Sequence, residues 1–504
     1  MTAEGFRQKD RNRTRRYTFL GLIIGLVIAG IAVAVPNIVM PIVIIILIAA
    51  GFFLWHYPQI TLYILFLSVC LFEQYPCGYS DSITDQVPFF WNVNTIVQRF
   101  AHADFKGIPL NLVEVVLLTA GSFSFARAVY MHKMKLIKGS LFWPICAYMC
   151  FVMMGWIIGM LSGGDFKVSL MEVRPEFYFM VSYLMAVNLV KERKQVEKLM
   201  WAMAICMAIK GIMYTFRRYI TLGGAPLPDQ GVGSHEEAFL FDNFELMVII
   251  LTVFKVYPRL RTFMWIMLPM VIMGNLATNR RAGTAAIAIA IPLLFLAADR
   301  ALPTARTRIR LIAVGLVVAF FCYYQVFKDS SSAFAQPALA IGSIISPNPR
   351  DAASNAYRDA ENVDILETVK SAPIQGFGYG KHFLHVAPIV DISSVYEYWD
   401  IMPHNSVLWV WMRTGTIGYI SFWMMVAAII ITASQVLKDD KSTPHVKAVA
   451  TYCLIVICIL IVFGLLDLQL AMFRDMLYAG FWTGVLAGIK DGSHDRQPLV
   501  EAAT

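Results

Sequence analysis

Apolar runs of 18 or more residues recur along the chain, separated for the most part by short polar stretches. Such a run is long enough to cross the hydrocarbon core of a bilayer as a helix. The pattern predicts membrane-crossing helices near 18–35, 38–55, 58–72, 110–131, 141–161, 169–190, 199–216, 238–256, 263–277, 282–298, 309–327, 405–433, 446–466 and 471–489. About fourteen spans, with twelve as a lower limit, make an all-α polytopic integral membrane protein. Pro36 and Asn37 turn the first span into the second, and Pro269 and Gly274 interrupt the short ninth.

Two polar intervals are long, 73–109 and 328–404, the second lying between the eleventh and twelfth spans. The chain therefore divides into a basic arm at 1–17, spans one to eleven over 18–327, a large loop at 328–404, spans twelve to fourteen over 405–489, and a tail at 490–504. The loop has its own organisation. A Pro-rich start (Pro347, Pro349) leads into a helix-period segment from Asp351 to Ser371, then the turn-rich PIQGFGYG and an aromatic patch at Tyr396, Tyr398 and Trp399. A structured loop of this length is a functional cap rather than a linker. No internal repeat is visible, which weighs against inverted-repeat transporters.

Composition agrees with a membrane class: 58% of residues are hydrophobic and 15% charged. The net charge of +8 does not indicate a nucleic-acid partner, because the basic residues are scattered between spans and not gathered on one face. They orient the chain instead. With the N-terminus inside, the segments at 133–138, 191–198, 255–261, 300–310, 438–447 and the tail all fall on the cytoplasmic side, and all are basic. Both termini are then cytoplasmic and the large loop is extracytoplasmic. The arm carries Arg7, Lys9, Arg11, Arg13, Arg15 and Arg16 but no small-residue cleavage site follows, so the first helix is expected to stay uncleaved. Seven cysteines sit in apolar runs and only Cys77 in a polar loop, which gives no disulfide or zinc framework.

Several arginines break the orientation rule. Arg217 and Arg218 end the seventh span on the outer side, Arg280 and Arg281 precede the tenth, and Arg174 lies near the outer end of the sixth between Glu172 and Glu176. Arginine suits bidentate phosphate contacts, so arginines converging on an outer cavity form an anion site. The plainer alternatives are an ion pair for Arg174 and headgroup contact for Arg217 and Arg218. His404, in Met402-Pro403-His404-Asn405 where the loop meets the twelfth span, is placed to act as a general base or simply to bond locally at a helix start. His382 and His385 lie three apart in the same loop, but no carboxylate spacing supports a metal site with them. Glu114, Asp242, Glu245 and Asp467 allow a competing proton or cation path, or structural pairing with Lys210 and Arg174.

Three motifs occur in order through the C-terminal half: an Arg opening a span after small polar residues (TNRRAG), Arg358 followed by PIQGFG, and HNSVL followed by GTIG. In these the chain resembles the O-antigen ligase and O-antigen or exopolysaccharide polymerase superfamily of bacterial membrane glycosyltransferases. The resemblance implies an inverting, metal-independent transfer from an undecaprenyl-pyrophosphate-linked glycan donor to a glycan acceptor at the periplasmic face of the inner membrane, with no cofactor. It implies His404 as general base on the acceptor hydroxyl, and Arg281, or its neighbour Arg280, with Arg358 holding the departing pyrophosphate. The outer arginines Arg174, Arg217 and Arg218 join that set on the burial argument alone. Expected partners are the lipid bilayer, the donor and acceptor, and chain-length regulator and flippase proteins; nucleic acid is not one.

The chain departs from the family's pattern at one place. Relatives often carry an acidic residue two before the first Gly of Gly-x-x-Gly, where this chain has Arg413. On a helix starting at His404, nine residues turn through about 900°, half a turn out of phase, and rise about 14 Å. Arg413 is accordingly expected to face away from His404. The leading expectation is a polysaccharide polymerase; a ligase moving finished chains onto lipid A core is the nearest alternative, and a lipid-linked oligosaccharide flippase or proton-coupled transporter is the alternative from another class.

Overall fold

The computed structural model describes residues 59–74, 82–101, 110–130, 136–224, 231–330, 332–394 and 396–492. The expected first two spans and the basic arm lie outside them, as does all but the start of the tail. Among the described residues the structure is helical with no strand; a lone antiparallel bridge joins Asn92 and Asn111. The chain divides into two compact units, Met1–Thr61 with Glu114–Lys135 and Leu62–Val113 with Leu136–Thr504. Of the first unit, the described part is the opening of helix α1 (Gln59–Leu71) and most of α3 (Leu112–Tyr130). Everything discussed below belongs to the second.

In order after α1, the helices are α2 (Val93–Ala101), α3, α4 (Phe142–Leu161), α5 (Phe166–Leu189), α6 (Arg193–Phe216), α7 (Glu236–Phe254), α8 (Pro258–Thr278), α9 (Arg281–Ala301) and α10 (Arg306–Phe327). Then come α11 (Gln336–Ile345), α12 (Pro349–Ser371), α13 (Ser406–Lys438), α14 (Pro444–Leu466) and α15 (Phe473–Lys490). Among the described residues, seven segments are long and apolar enough to cross a membrane: α4, α6 with its following turn, α8, α9, α10 with its preceding turn, α13 and α14. The other spans expected after residue 58 are helices as well. α1 is shorter, while α5, α7 and α15 bury charged side chains: Glu172, Arg174 and Glu176; Glu236, Glu237 and Asp242; Arg474 and Asp475.

Local chemistry sets the helix boundaries. Asp165, Asn348, Asn405 and Thr443 cap α5, α12, α13 and α14 by accepting from a backbone N–H three residues on. Proline at the first position helps open α8, α12 and α14, where its missing N–H is not needed. Asn279, with φ +56°, ends α8 in the left-handed conformation that Asn tolerates, and α9 begins two residues later at Arg281. That sharp junction is what aims two consecutive arginines away from both helix axes.

The long loop is not a separate cap. Its PIQGFGYG segment threads between helices, which only small residues allow. Gly376, Gly378 and Gly380 all have φ near +80°, and a Cβ on Gly378 would lie 2.5 Å from the backbone nitrogen of Gly159 in α4. α13 breaks at Gly415 (φ +72°) to admit the segment. The Thr416 N–H donates to Pro373 O at 2.8 Å instead of to Met412 O, and the freed Met412 carbonyl accepts from Phe377 N at 2.7 Å. The expected single span at 405–433 is thus two helical pieces around a glycine.

Candidate functional site

Asp351, Asn355, Arg358 and Glu361 follow one another three or four apart on α12, which puts them on one stripe of the helix. Each end of that stripe receives one of the residues expected from the sequence. At the first end, Arg281 Nη1 lies 3.3 Å from Asp351 Oδ1 and 3.4 Å from Ser343 Oγ, and Nη2 lies 3.4 Å from Asn355 Oδ1. At the other end, Glu361 is 1% exposed and holds His404 twice. It accepts from the His404 backbone N–H at 2.8 Å, and both its oxygens lie 3.2 Å from Nδ1. The edge of Tyr357 packs on the imidazole with ring centroids 5.7 Å apart.

Because the carboxylate engages Nδ1 and the ring is 20% exposed, Nε2 is the nitrogen left to face a ligand. Arg358 lies between the two ends, close enough for its charge to bear on Arg281, and its buried Nε has no hydrogen-bond partner among the described residues.

Behind His404 stands Asp467, between α14 and α15. Its carboxylate is buried beside the His235 ring, with Nδ1 3.0 Å and 3.2 Å from the two oxygens. Burial favours the neutral acid, but the charges of His235, Arg280 and His404 outweigh it and hold the carboxyl far below the usual carboxylate range. Ser406, the first residue of α13, donates to the carbonyls of Gly464 and Asp467 at 3.0 Å each, tying the His404 turn to this corner.

Arg280 and Arg281 also line one end of a cavity of about 940 Å³ bounded by α8, α9, α10 and α11. Its walls follow α9 from Arg281 to Phe295, about 21 Å at helical rise, and are otherwise mostly aliphatic and aromatic. α10 forms one wall, yet only 6% of its apolar window is buried. At the arginine end, Asn275 Nδ2 donates to Asp242 Oδ1 at 2.8 Å and to Glu245 Oε1 at 3.0 Å, so these two carboxylates share one amide.

The remaining expected residues lie elsewhere. Arg174 is buried on α5 with its charge near Tyr398, beside the cluster of Ile401, Met402, Leu468 and Met472 that Tyr396 and Tyr398 cover. Glu172 takes Arg413 Nε at 2.7 Å, and Glu176 accepts from Tyr148 OH at 2.8 Å. Arg217 is buried at the start of the π-turn Arg217–Thr221 that follows α6, and Arg218 is half-buried next to it. His382 Nδ1 lies 2.7 Å from Asp400 Oδ2, while His385 sits 3.7 Å from Asp364 and 3.9 Å from Asp400. No group of three or more metal-ligating side chains is placed to hold an ion among the described residues.

Arg413 forms its bonds with groups other than His404. It is fully buried and fastens the threaded loop, its Nη1 donating to Gly378 O and its Nη2 to Lys381 O and Ile401 O, each at 2.8 Å. Sequence reasoning missed Glu361, Tyr357 and His235. A signal existed for the first: Glu361 follows Arg358 by three in a helix-period segment, so one helix face had to carry both. Nothing local links His235 to Asp467, which lie 232 positions apart.

Comparison with known proteins places an O-antigen ligase family match over residues 262–423. That segment runs from α8 into α13 and contains Arg280, Arg281, Arg358, Glu361, His404 and Arg413, but not Asp467 or His235. No curated protein matches the chain.

Proposed function

We propose that this chain, which carries an O-antigen ligase segment within a multi-pass helical membrane protein, is a glycosyltransferase that polymerises undecaprenyl-pyrophosphate-linked glycan units at the periplasmic face of a bacterial inner membrane. One observation carries the reading: Arg280 and Arg281 line one end of a long apolar cavity, and the helix stripe that pairs with Arg281 at Asp351 holds the His404 ring through Glu361 at its other end. A polyprenyl tail fits the aliphatic walls, and lightly packed α10 offers it a lateral way in. The pyrophosphate then lies against Arg280, Arg281 and Arg358, and the sugar attached to it is brought beside His404.

The reaction follows from those positions. The acceptor hydroxyl attacks the anomeric carbon from the face opposite the leaving group and loses its proton to His404 Nε2. The bond from the anomeric carbon to the pyrophosphate oxygen breaks, and polyprenyl pyrophosphate departs with its charge held by the guanidinium groups. Glu361 keeps the proton on Nδ1 and stabilises the imidazolium that forms. The arginines supply the charge stabilisation for which other phosphate-handling enzymes use metal ions.

The family's description as O-antigen ligase favours a second reading, transfer of a finished chain onto lipid A core. Purified chain in detergent, given labelled lipid-linked repeat units alone, is expected to yield longer glycans and free polyprenyl pyrophosphate. Transfer seen only when lipid A core is added would establish the ligase instead, and neither product would be expected of a flippase.

Two variants test the assignments in the same assay. Arg281→Lys is expected to lose about a hundredfold or more in rate, since one ammonium does not reproduce the fork that stabilises the leaving group. Full activity would make Arg281 a structural partner of Asp351 only. Glu361→Gln keeps the hydrogen bond to the His404 backbone but removes the charge behind the ring, and about a tenfold loss or more is expected. An unchanged rate would remove Glu361 from the mechanism.

A further inference from the structure

Away from the cavity, four carboxylates and two cations are sealed together. Glu73 follows α1, Lys210 lies in α6, Glu236 and Glu237 open α7, and Arg474 and Asp475 open α15; every one of them is 0% exposed. Lys210 Nζ lies 2.9 Å from Glu73 Oε1 and 2.5 Å from Glu237 Oε1. Arg474 Nη1 lies 3.2 Å from Glu236 Oε1 and also contacts Glu237 Oε1, while its Nε donates to Val69 O at 2.8 Å. Neutral donors add to the same oxygens. Thr84 Oγ1 and Tyr214 OH reach Glu73 Oε1 at 2.9 Å and 3.3 Å, and the Gln74 backbone N–H reaches Glu236 Oε1 at 3.1 Å.

The charges do not balance, because four acids face two bases. The hydrogen bonds do not balance either. Both oxygens of Asp475 and the second oxygens of Glu73 and Glu237 are buried with no partner among the described residues. Arg474, the sequence neighbour of Asp475, is directed instead to Glu236, Glu237 and two backbone carbonyls. An ionised carboxylate is acceptor-only, and burying one bare and unpaired is among the costliest arrangements a protein interior can hold. One proton on such a group removes a charge and also turns an acceptor into a donor. Two protons would make the cluster neutral.

We infer that this cluster is a proton-binding site, with Asp475, whose two buried oxygens have no partner among the described residues, as the group that holds the proton. A metal ion fits less well, since the acids are dispersed around two cations and no three of them converge on one point. The other titratable groups facing the cluster are the thiols of Cys70 and Cys206, the phenol of Tyr214, and Asp467, already matched by His235. None supplies unmatched positive charge. The site joins α1, α6, α7 and α15, so its protons neutralise the point where four helices meet. The folded state binds more protons here than the unfolded chain does, so this stability is full below the ordinary carboxylate range of the unfolded chain and is lost progressively as pH rises from there through the titration of the folded site.

The full-length protein in detergent tests this without reference to glycan transfer. In sodium-free buffer at neutral pH, its infrared spectrum is expected to carry the carbonyl stretch of protonated carboxylic acids. Asp475→Asn, the neutral isostere, should remove part of that band, melt no lower than the parent, and shrink the fall in melting temperature on going to alkaline pH. Glu73→Gln, which removes a carboxylate already paired with Lys210, should leave the band unchanged. An identical band in the parent and Asp475→Asn overturns the site, as does failure of Asp475→Asn to accumulate, because a protonated acid tolerates its amide. A parent without the band whose melting temperature rises on adding sodium chloride, but not potassium chloride, would assign the balancing charge to sodium ions instead.

Discussion

His404→Ala is expected to abolish glycan transfer, a loss of about 10²- to 10⁴-fold or more, while leaving the amount of chain in the membrane unchanged. The two effects separate cleanly because of how the ring is held. The imidazole is held by Glu361 and Tyr357 and is 20% exposed, so its removal deletes the base together with these ring contacts. Glu361, although buried, keeps the backbone N–H of residue 404 as a donor. Transfer measured on membranes with matched protein levels checks the outcome. Wild-type rates in the variant would leave the carboxylate-held histidine as a helix-start contact and nothing more.

Arg413→Ala is expected to fail at an earlier stage, with little folded protein recovered. The substitution leaves Glu172 buried without its cation and strips donors from the carbonyls of Gly378, Lys381 and Ile401. Breaking one partner of such a buried pair costs about 3–5 kcal/mol, a large fraction of the stability of most domains. The damage would pass to the site, since residues 376–401 lose their anchor and His404 follows directly. Thermal melting of detergent-solubilised protein should show a broad drop. Glu172→Gln combined with Arg413→Met, which removes both charges, should recover part of it. Normal melting of Arg413→Ala would mean that the glycine contacts with α4 alone hold the loop.

The two arginine assignments show how far residue spacing reaches. Helical phase argued for separating Arg413 from His404, and the structure gives the cation a different partner, Glu172 on α5, 241 positions away. Periodicity was equally sufficient for the helix over 351–371, found as Pro349–Ser371. The acids flanking Arg174 show how far partners can lie from sequence neighbours: residues two apart on a helix point about 200° apart, and Glu172 and Glu176 hold Arg413 and Tyr148 from distant helices. PIQGFGYG was legible as a turn from its glycines. Its place inside the helix bundle was not, because the partners it needed, Gly159 and the break at Gly415, carry no mark in the sequence of being its partners.

By itself, the sequence determined the helical class and most helix boundaries, and it singled out ionisable residues as candidates for the chemistry. Those follow from hydrophobic run length, capping side chains and ionisable groups, all of which act over a few residues. Tertiary structure alone decided which of those residues meet. It brought Glu361 to His404, Asp467 to His235, and set Arg281 across from Asp351 at the end of an apolar cavity, while sending Arg413 to fasten a loop. A side chain's partner is fixed by where helices cross, and in a helical bundle that depends on packing between segments far apart in the chain. The buried proton site is the extreme case. Its four carboxylates come from three separate stretches, each unremarkable alone, and only their enclosure with two cations creates a charge that something must balance.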